Sequence, residues 1–395
     1  MQTVLDLGEH ALSGVFPSNA DQDVPKGPLE LVFCPECTLV QMRHTYDQNE
    51  MYGDNYGYRS GLNKSMVRHL TSKSQSLTRL ADLKAGDWIL DIGSNDGTLL
   101  GAYETEGLHK VGIDPSAGKF KQYYQPGIEI VEDFFSEENF RKIAGDSKAA
   151  LVTSIAMFYD LDAPVDFAAA IGKILTDEGI WHFEQSYLPT MLWANSFDTV
   201  CHEHIEYYSL HSIQEILKRA GMKAIKVTFN DTNGGSFAVT ACRESSSRQP
   251  DKELLEWILE SEKQAGIDTA EPVLDMGRRI QVQVRLLVDL LERLARSGKK
   301  VIGYGASTKG NITLQYAGIT KELLPAIAEV NPDKFGHVTP GTHIPIISEE
   351  EARAMNPDYF LVLPWHFRND ILSREQAYLR QGGNFIFPLP RPEIV

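Results

Sequence analysis

A glycine-rich turn between an apolar strand and a helix most constrains the fold of this 395-residue chain. The run Trp88–Ile92 is apolar apart from Asp91, and Gly93 and Gly97 follow it before the apolar pair at 99–100. This order predicts a buried strand, a tight turn and a helix. Because glycine has no Cβ atom, a ligand can approach such a turn closely, and Asp91 would lie at the strand's carboxyl end, where open α/β sheets bind ligands.

A second acidic residue, Asp114, ends the next short strand about 20 residues further on, where a nucleoside ribose would need a carboxylate. A dinucleotide site requires Gly-x-Gly-x-x-Gly, and Gly93-Ser-Asn-Asp-Gly97 lacks the second glycine of that triplet. Asp-x-Gly-x-x-x-Gly followed by Gly-Ile-Asp-Pro-Ser resembles two motifs of class I S-adenosylmethionine (SAM) methyltransferases. The pattern favours SAM, with NAD binding and a purely structural turn as alternatives.

The resemblance implies cofactor contacts at the carboxyl ends of neighbouring strands. In such enzymes an acid and an aromatic residue hold the adenine, as Asp133 and Phe134 would here, and the segment at Met157 lies beneath the sulfonium. We therefore expect SAM to contact Asp91, Gly93, Ser94, Asn95, Gly97, Asp114, Pro115, Asp133, Phe134, Ala156 and Met157.

The net charge of −16 argues against nucleic acid or an anionic membrane as a partner, because phosphates require a basic excess. No apolar stretch approaches the ~18 residues of a membrane span. The first residues lack the cationic and apolar regions of a secretion signal. Four cysteines do not make a disulfide scaffold. We expect a cytoplasmic enzyme that acts on a small molecule as a monomer.

Strands and helices alternate regularly after residue 88, which predicts a doubly wound sheet. A hairpin around Asp231–Gly235 should close that sheet with an antiparallel edge. A second strand, glycine turn and helix at Lys299–Asn311 predicts another α/β unit, in which Ser307 and Lys309 lie where a helix N-terminus attracts anions. An ordinary βα turn is the alternative there. The predicted strands are 88–92, 110–114, 128–132, 150–155, 179–184, 223–229 and 236–242.

Cys34-Pro-Glu-Cys37 lies in a predicted hairpin near the N-terminus. Such a knuckle supplies half of the four ligands that a structural zinc requires. No second pair stands at a suitable spacing, so the residues alone are equally compatible with two unligated thiols.

The segment Met51–Gly61 is dense in tyrosine and glycine without a strand or helix period. It is either a packed loop at a domain junction or a loop that offers phenol hydroxyls, Tyr56 and Tyr58 among them, to a substrate.

The loop after the fifth strand of the predicted sheet contains His202-Glu203-His204. Three interpretations are open: a metal site, structural histidines bonded to backbone groups, or acid/base chemistry. In an extended segment the two histidines share a face and Glu203 points the other way, which leaves a metal without its third ligand. Acid/base chemistry is favoured because histidine titrates near neutral pH and this loop should lie near the methyl donor.

Taken together, these motifs resemble the sugar C-methyltransferases, SAM-dependent enzymes that methylate a ring carbon of a nucleotide-linked keto-deoxysugar. The resemblance covers nearly the whole chain, and it rests on the order of Cys34-x-x-Cys37, Tyr56-Gly-Tyr58-Arg-Ser, Leu90-Asp-Ile-Gly-Ser-Asn-Asp-Gly, Phe197-Asp-Thr, His202-Glu-His204, Tyr304-Gly-Ala-Ser-Thr-Lys-Gly310, Thr339-Pro-Gly-Thr-His-Ile-Pro345 and Leu363-Pro-Trp.

The resemblance implies an α/β protein of three domains. These are a small zinc-ribbon-like module (1–60), a class I methyltransferase domain with a Rossmann-like sheet (61–245) and a C-terminal Rossmann-like domain (246–395). A dTDP- or other nucleotide-linked sugar would bind between the last two domains. We expect the substrate contacts to be Glu184, Tyr187, Ser307, Lys309, Asn311 and His343, and the zinc ligands to include Cys34 and Cys37.

Two features depart from the family pattern. The family's first Cys-x-x-Cys precedes a Val-Leu-Asp-Leu-Gly segment, which here begins at Val4, so that pair would lie upstream of Met1. Either the chain starts at an internal methionine or this member does without zinc. Cys201 stands where members of the family carry tyrosine, which removes one hydroxyl expected near the sugar.

The chemistry implied is carbon methylation through an enolate. A carbon next to a ketone becomes nucleophilic once a base removes its proton; His204 is the expected base, with Glu203 or His202 orienting it. Tyr56 or Tyr58 would bond the enolate oxygen or return a proton. The alternatives are O- or N-methylation, an NAD oxidoreductase using Gly303-x-Gly305, for which only the distant Glu329 offers an acid, and a non-catalytic binding module.

Overall fold

The computed structural model describes residues 1–46 and 58–395. The chain begins with an antiparallel sheet of β1 (Gln2–Ala11), β2 (Lys26–Phe33) and β3 (Val40–Met42). The predicted hairpin around the cysteine pair is the β2–β3 connection, which is closed by a hydrogen bond from Cys34 N to Leu39 O (2.9 Å).

The central domain follows with seven helices and eight strands among its described residues. Its first helix is capped by Asn63, whose side chain accepts a hydrogen bond from Ser65 N, and it buries Met66, Leu70 and Leu77 at helical spacing. The helices are α1 (Lys64–Ala81), α2 (Thr98–Gly101), α3 (Ala117–Phe120), α4 (Glu137–Ala144), α5 (Pro164–Ile174), α6 (Leu188–Ala194) and α7 (Leu210–Arg219). The strands are β4 (Trp88–Ile92), β5 (His109–Ile113), β6 (Ile128–Val131), β7 (Ala149–Ile155), β8 (Leu175–Ser186), β9 (Glu206–Tyr207), β10 (Met222–Asn230) and β11 (Ser236–Arg243).

Seven of these strands form one sheet in the order β10-β11-β8-β7-β4-β5-β6, and β9 instead extends the N-terminal sheet by pairing with β3. The doubly wound sheet is thus confirmed, with its order reversing beside β4, where such sheets bind ligands. The expectation of an antiparallel edge was wrong in detail. The antiparallel strand β11 lies inside the sheet between β8 and β10, and β10 forms the edge.

The C-terminal part contains a second, mostly parallel sheet of order β14-β13-β12-β15-β16-β17, which confirms the expected second α/β unit. Its strands are β12 (Val301–Tyr304), β13 (Ile327–Glu329), β14 (Ile346–Ser348), β15 (Tyr359–Val362), β16 (Asn384–Phe387) and β17 (Glu393–Ile394). The helices are α8 (Lys252–Gln264), α9 (Glu271–Arg296), α10 (Thr308–Ala317), α11 (Glu349–Ala354), α12 (Arg368–Arg374) and α13 (Gln376–Arg380).

The long helix α9 connects the parts of the molecule. Its first half buries Val273 and Ile280 in an apolar cluster with the N-terminal sheet, and its second half buries Leu287 and Leu291 against the C-terminal sheet. One amphipathic helix therefore fixes the small N-terminal sheet to the C-terminal domain. Within the described ranges, no helix is long and apolar enough to cross a membrane.

Candidate active site

The turn after β4 requires glycine at two positions. Gly93 (φ +72°) and Gly97 (φ +73°) both have left-handed backbone conformations. A Cβ atom on Gly97 would lie 2.7 Å from Cδ1 of Tyr124, and one on Gly93 would lie 3.1 Å from Cγ of Met157. Helix α2 starts directly after Gly97. Both glycines are therefore required by their backbone conformation and by the close packing of Tyr124 and Met157 against the turn.

Two carboxyl groups lie at adjacent strand ends beside this turn. Asp114 accepts hydrogen bonds from Asn95 N (2.8 Å) and from the backbone N and Oγ of Ser116 (both 2.6 Å). Asp91 is almost fully buried and accepts a bond from Oγ1 of Thr153 (2.6 Å). Burial, helped by the charge of Asp114, raises the pKa of Asp91 to about 7. Asp114 is thus tied to the turn that it flanks.

The turn is also held by residues that sequence reasoning did not select. Ser94 Oγ and the Tyr124 hydroxyl lie 2.7 Å apart, and that hydroxyl also donates to Asn95 O (2.9 Å). Tyr124 follows α3, so no motif spacing in the sequence identifies it. Three of the expected cofactor residues, Ser94, Asn95 and Gly97, thus contact one tyrosine.

The described end of the tyrosine-rich loop lies on the same turn. Ser60 N donates to Oδ1 of Asn95 (2.9 Å), and Nδ2 of Asn95 donates to the Tyr58 carbonyl (3.0 Å). The Tyr58 side chain is 48% exposed, whereas Tyr56 lies outside the described residues. The structure therefore brings Tyr58 to the cofactor turn.

The remaining expected cofactor residues line the neighbouring strand ends. Asp133 and the 40% exposed Phe134 lie just beyond the end of β6, after Glu132, and Nδ2 of Asn139 donates to Asp133 Oδ2 (2.9 Å). Ala156, with φ +54°, and Met157 directly follow β7. Since β7, β4, β5 and β6 are consecutive in the sheet, these residues and Pro115 lie along one edge.

The ring of His204 is held in a defined tautomer. Its Nδ1–H donates to the Thr199 carbonyl (3.0 Å), so Nε2 carries the lone pair. The ring packs 4.2 Å from the ring of Tyr159. Burial, and then the charge of Lys309, lower the pKa of His204 to about 3. At neutral pH this is an uncharged imidazole with an unprotonated nitrogen, the form that accepts a proton.

His202 and Glu203 point away from His204. The segment is not extended as expected, because His204 N bonds to Cys201 O (3.1 Å) and closes a turn. His202 Nε2 instead bonds to the Gly27 carbonyl (3.2 Å), and Glu203 accepts from Ser13 Oγ (3.4 Å). Both reach the N-terminal module. In the described part of the chain, the orienting group for His204 is the Thr199 carbonyl.

Glu184 and Tyr187, two expected substrate residues, are bonded within the protein. Glu184 pairs with His69 (2.6 Å) and Lys73 (2.7 Å) of α1. Burial opposes its ionisation, but these two partners outweigh burial and lower its pKa to about 2. The Tyr187 hydroxyl donates to Glu262 (2.7 Å). Glu184 thus joins α1 to β8, and Tyr187, directly after β8, joins the end of that strand to α8 through Glu262.

Ser307, Asn311 and His343 belong to the C-terminal domain and lie in different settings. Ser307 caps α10 by accepting from Gly310 N (3.0 Å), and Nδ2 of the buried Asn311 donates to the Ser13 carbonyl (2.8 Å). His343 is exposed on a loop. Asn311 therefore connects this domain to the same N-terminal segment that Glu203 reaches.

Lys309 reaches across to the methyltransferase-like domain. Its Nζ donates to the Asn233 carbonyl in the β10–β11 hairpin (3.0 Å). After burial, its charge is the second cause that lowers the pKa of His204 and of His366, and it opposes the rise that burial causes at Asp198. Helix α10, which carries Lys309, packs against residues 197–199 at the start of the His204 loop, although it belongs to the other domain.

Asp198 and His366 are further candidates that sequence reasoning missed. Asp198 is fully buried, and its Oδ2 accepts from Nε1 of Trp365 (2.8 Å). Asp198 Oδ1 and His366 Nδ1 are buried without a hydrogen-bond partner among the described residues. Buried polar atoms in this condition call for a hydrogen-bond partner, which an ordered water or a polar ligand can supply. The signal was present in the Phe-Asp-Thr and Leu-Pro-Trp motifs, to which no role was assigned.

The second glycine turn, at Gly305, is built like the first. Glu329 ends β13 and its Oε2 accepts from Ala306 N (2.8 Å), just as Asp114 accepts from Asn95 N. Glu329, which the sequence offered only as an acid distant from this turn, is therefore the carboxylate beside it. Because β13 is the parallel neighbour of β12, the sheet brings Glu329 back to a turn that is distant in sequence.

Cys34 and Cys37 form a knuckle suited to a thiolate. Backbone N–H groups of Cys37 and Glu36 lower the pKa of Cys34. However, the described residues contain no group of three or more His, Cys, Asp or Glu side chains that could hold a metal ion. A structural zinc needs four ligands, so the pair alone does not complete a site.

Three family models match the chain in succession. They are described as "Putative zinc binding domain" (residues 1–52), "Methyltransferase domain" (66–227) and "C-methyltransferase C-terminal domain" (231–390). The C-methyltransferase NovU of Streptomyces niveus is 29% identical over 399 residues, which cover 99% of this chain and 94% of NovU.

Solved structures of methyltransferases also match part of the chain. A SAM-dependent methyltransferase from Geobacter sulfurreducens in complex with S-adenosyl-L-homocysteine is 13% identical over 44% of this chain and 90% of its own, with a TM-score of 0.34. The 1,6-didemethyltoxoflavin-N1-methyltransferase of Burkholderia thailandensis is 10% identical over 54% of this chain and 98% of its own, with a TM-score of 0.38.

The three domain models occur in one order with little chain left between them, and the NovU match extends through all three. The motif residues beside β4 and β5 form a glycine turn flanked by two acids, the pattern that the sequence analysis associated with SAM. These matches support a SAM-dependent C-methyltransferase that combines the three domains.

Proposed function

We propose that this enzyme methylates the carbon next to the ketone of a nucleotide-linked keto-deoxysugar, with His204 as the base. The observation that carries the proposal is the state of His204. Its Nδ1 is bonded to the Thr199 carbonyl, and burial and Lys309 keep the ring uncharged. A neutral, oriented imidazole is suited to removing a proton from carbon.

The surroundings of His204 support a substrate that binds between the two α/β domains. The side chains around it come from both α/β domains, with Lys309 on α10 and Asp198 in the same loop as His204. The unpartnered Asp198 and His366 atoms offer hydrogen bonds to hydroxyl groups such as those of a sugar. SAM, bound at the glycine turn, supplies the electrophilic methyl group.

The low pKa of His204 has a consequence for catalysis. A base with a pKa of about 3 in the free protein is too weak to remove a proton from the carbon next to a ketone by itself. The substrate's enolate must therefore be stabilised as it forms, or the bound substrate must raise the pKa of His204. In the proposed reaction, groups near the ketone oxygen supply this stabilisation.

The test compares His204→Asn with His211→Asn, which changes an exposed histidine on α7. With a dTDP-linked 4-keto-6-deoxyhexose and SAM, we expect His204→Asn to lower turnover at least ~100-fold, as for a lost general base. Binding of S-adenosylhomocysteine, measured by calorimetry, should be unchanged in both variants. Normal turnover by His204→Asn would exclude His204 as the base.

Product analysis by NMR separates carbon methylation from the alternatives. A new methyl group on a ring carbon supports the proposal, whereas a methyl group on oxygen or nitrogen shows that the same site serves O- or N-methylation.

A further inference from the structure

Lys309 is a cation for which the described structure provides no ion-pair partner. Its only polar contact there is the neutral Asn233 carbonyl, and no carboxylate oxygen of the described residues lies within 4.0 Å of its Nζ. The side chain is partly buried at the junction of two domains. A cation withdrawn from water without a direct ion pair is costly, and the charge of the buried Asp198 stabilises it only from beyond ion-pair distance, so the site can accept a further anion.

The surroundings indicate where that anion forms. Lys309 acts electrostatically on His204, and helix α10 packs against residues 197–199 at the start of the His204 loop. A cation beside a base weakens that base in the resting enzyme. The arrangement becomes more favourable when negative charge develops next to both groups during the reaction.

A phosphate of the sugar nucleotide is the other anion to consider. Phosphates at helix N-termini bind first-turn backbone amides, but Gly310 N is already bonded to Ser307 Oγ. Lys309 reaches the β10–β11 hairpin of the methyltransferase domain, the side on which the reaction occurs. The position of Lys309 therefore favours an anion at the reaction centre.

Resting on the function proposed above, we propose that the Lys309 ammonium stabilises the enolate oxygen that forms when His204 deprotonates the substrate. The substrate C–H bond breaks, its proton moves to His204 Nε2, and its electron pair forms the enolate double bond while the carbonyl π pair moves to oxygen beside Lys309. The enolate carbon then takes the methyl group as the methyl–sulfur bond breaks, the sulfur keeps that pair, and the carbonyl is restored. Lys309 keeps its proton throughout, as an electrophilic catalyst does.

Isotope exchange tests this step without methyl transfer. The enzyme is saturated with S-adenosylhomocysteine and a dTDP-linked 4-keto-6-deoxyhexose in D₂O, and exchange at the carbons beside the ketone is followed by NMR. We expect Lys309→Met to slow exchange at saturating sugar by ~100-fold or more, the loss typical of a removed oxyanion contact. Lys309→Arg should recover part of the rate because it keeps the charge.

Calorimetry with dTDP distinguishes a phosphate-binding role of Lys309 from the proposed role at the enolate oxygen. We expect Lys309→Met to change dTDP affinity by less than about threefold, since the diphosphate lies elsewhere. A tenfold or greater loss of dTDP affinity would overturn the enolate role in favour of a phosphate anchor. Lys309→Gln serves as a second variant, and unchanged S-adenosylhomocysteine binding establishes that each variant is folded.

The outcomes separate the two proposals. If the wild-type enzyme exchanges and Lys309→Met exchanges equally fast, His204 chemistry stands and the role of Lys309 is refuted. If the wild-type enzyme shows no exchange with dTDP- or GDP-linked sugars, the proposed enolate reaction itself is refuted.

Discussion

Glu206 is a buried acid whose neutralisation should control stability. It lies on β9 with 7% of its surface exposed, and its Oε2 has no hydrogen-bond partner among the described residues. Burial, with a contribution from the charge of Asp162, raises its pKa to about 9. At neutral pH the carboxyl group is therefore protonated. We predict that Glu206→Gln, which keeps the shape and removes the titration, changes how stability depends on pH.

The sign and size follow from the shift. The unfolded-state pKa is 4.5 and the folded-state value about 9, so the folded protein retains the proton more strongly. The stability that protonated Glu206 gives is complete below pH ~4.5 and is lost as pH rises to ~9. At ~1.4 kcal/mol per unit, wild type should lose up to ~4 kcal/mol between pH 4.5 and 7.5 through this group. The glutamine variant should not show this loss.

The assay is urea unfolding of wild type and Glu206→Gln between pH 5 and 8. The difference between the variants should grow with pH in favour of glutamine, and any constant effect of the new amide cancels in this comparison. Glu215→Gln is the matched control, because Glu215 lines the same cavity of about 350 Å³. Parallel pH dependences of wild type and Glu206→Gln would refute the assignment of a neutral buried acid.

Three further outcomes are expected. Asp114→Asn should weaken S-adenosylhomocysteine binding at least ~10-fold in calorimetry, because charge-assisted hydrogen bonds contribute ~1.5–3 kcal/mol each; unchanged affinity would place the ribose elsewhere. Gly97→Ala should lower the free energy of unfolding by ~1–3 kcal/mol and weaken S-adenosylhomocysteine binding, because a φ of +73° is strained for alanine and the methyl group meets Tyr124. A melting curve identical to that of the wild type would contradict this prediction. Treatment with a zinc chelator should shift the Tm of this 395-residue chain by less than ~2 °C, because two thiolates hold zinc weakly. The Cys34→Ser/Cys37→Ser variant should show the same small shift. Stoichiometric zinc in the purified protein, with a large Tm shift when it is removed, would contradict this prediction.

Local sequence patterns predicted the elements that carry the cofactor turn. The apolar run before Gly93 and the acid at 114 were sufficient because strand, turn and helix are neighbours in sequence, and the parallel pairing of β4 and β5 sets their carboxyl ends side by side. The placement of β11 inside the sheet was not predictable in this way. A hairpin pattern establishes that two strands pair, but not which of them also pairs with β8.

Side-chain partners from distant segments were the other limit. The pattern His202-Glu203-His204 suggested one cluster, yet the turn closed at Cys201 sends two of these residues to the N-terminal module. Glu184 looked available for a substrate until the fold brought His69 and Lys73 of α1 to both of its oxygens. Sequence spacing identified reactive residue types, and tertiary contacts decided which of them remain available.

The two glycine turns show why the cofactor turn alone does not define the reaction. Asn95 N is held by Asp114 and Ala306 N by Glu329 at the same distance of 2.8 Å, so a carboxylate from the neighbouring strand stabilises both turns. This contact is a property of the strand–turn–helix unit and occurs with or without methyl transfer. The reaction must be determined instead by what stands between the two units. In the reaction that we propose, the neutral His204 of one domain and the Lys309 ammonium of the other act on the same substrate, and this requires both domains to be in place.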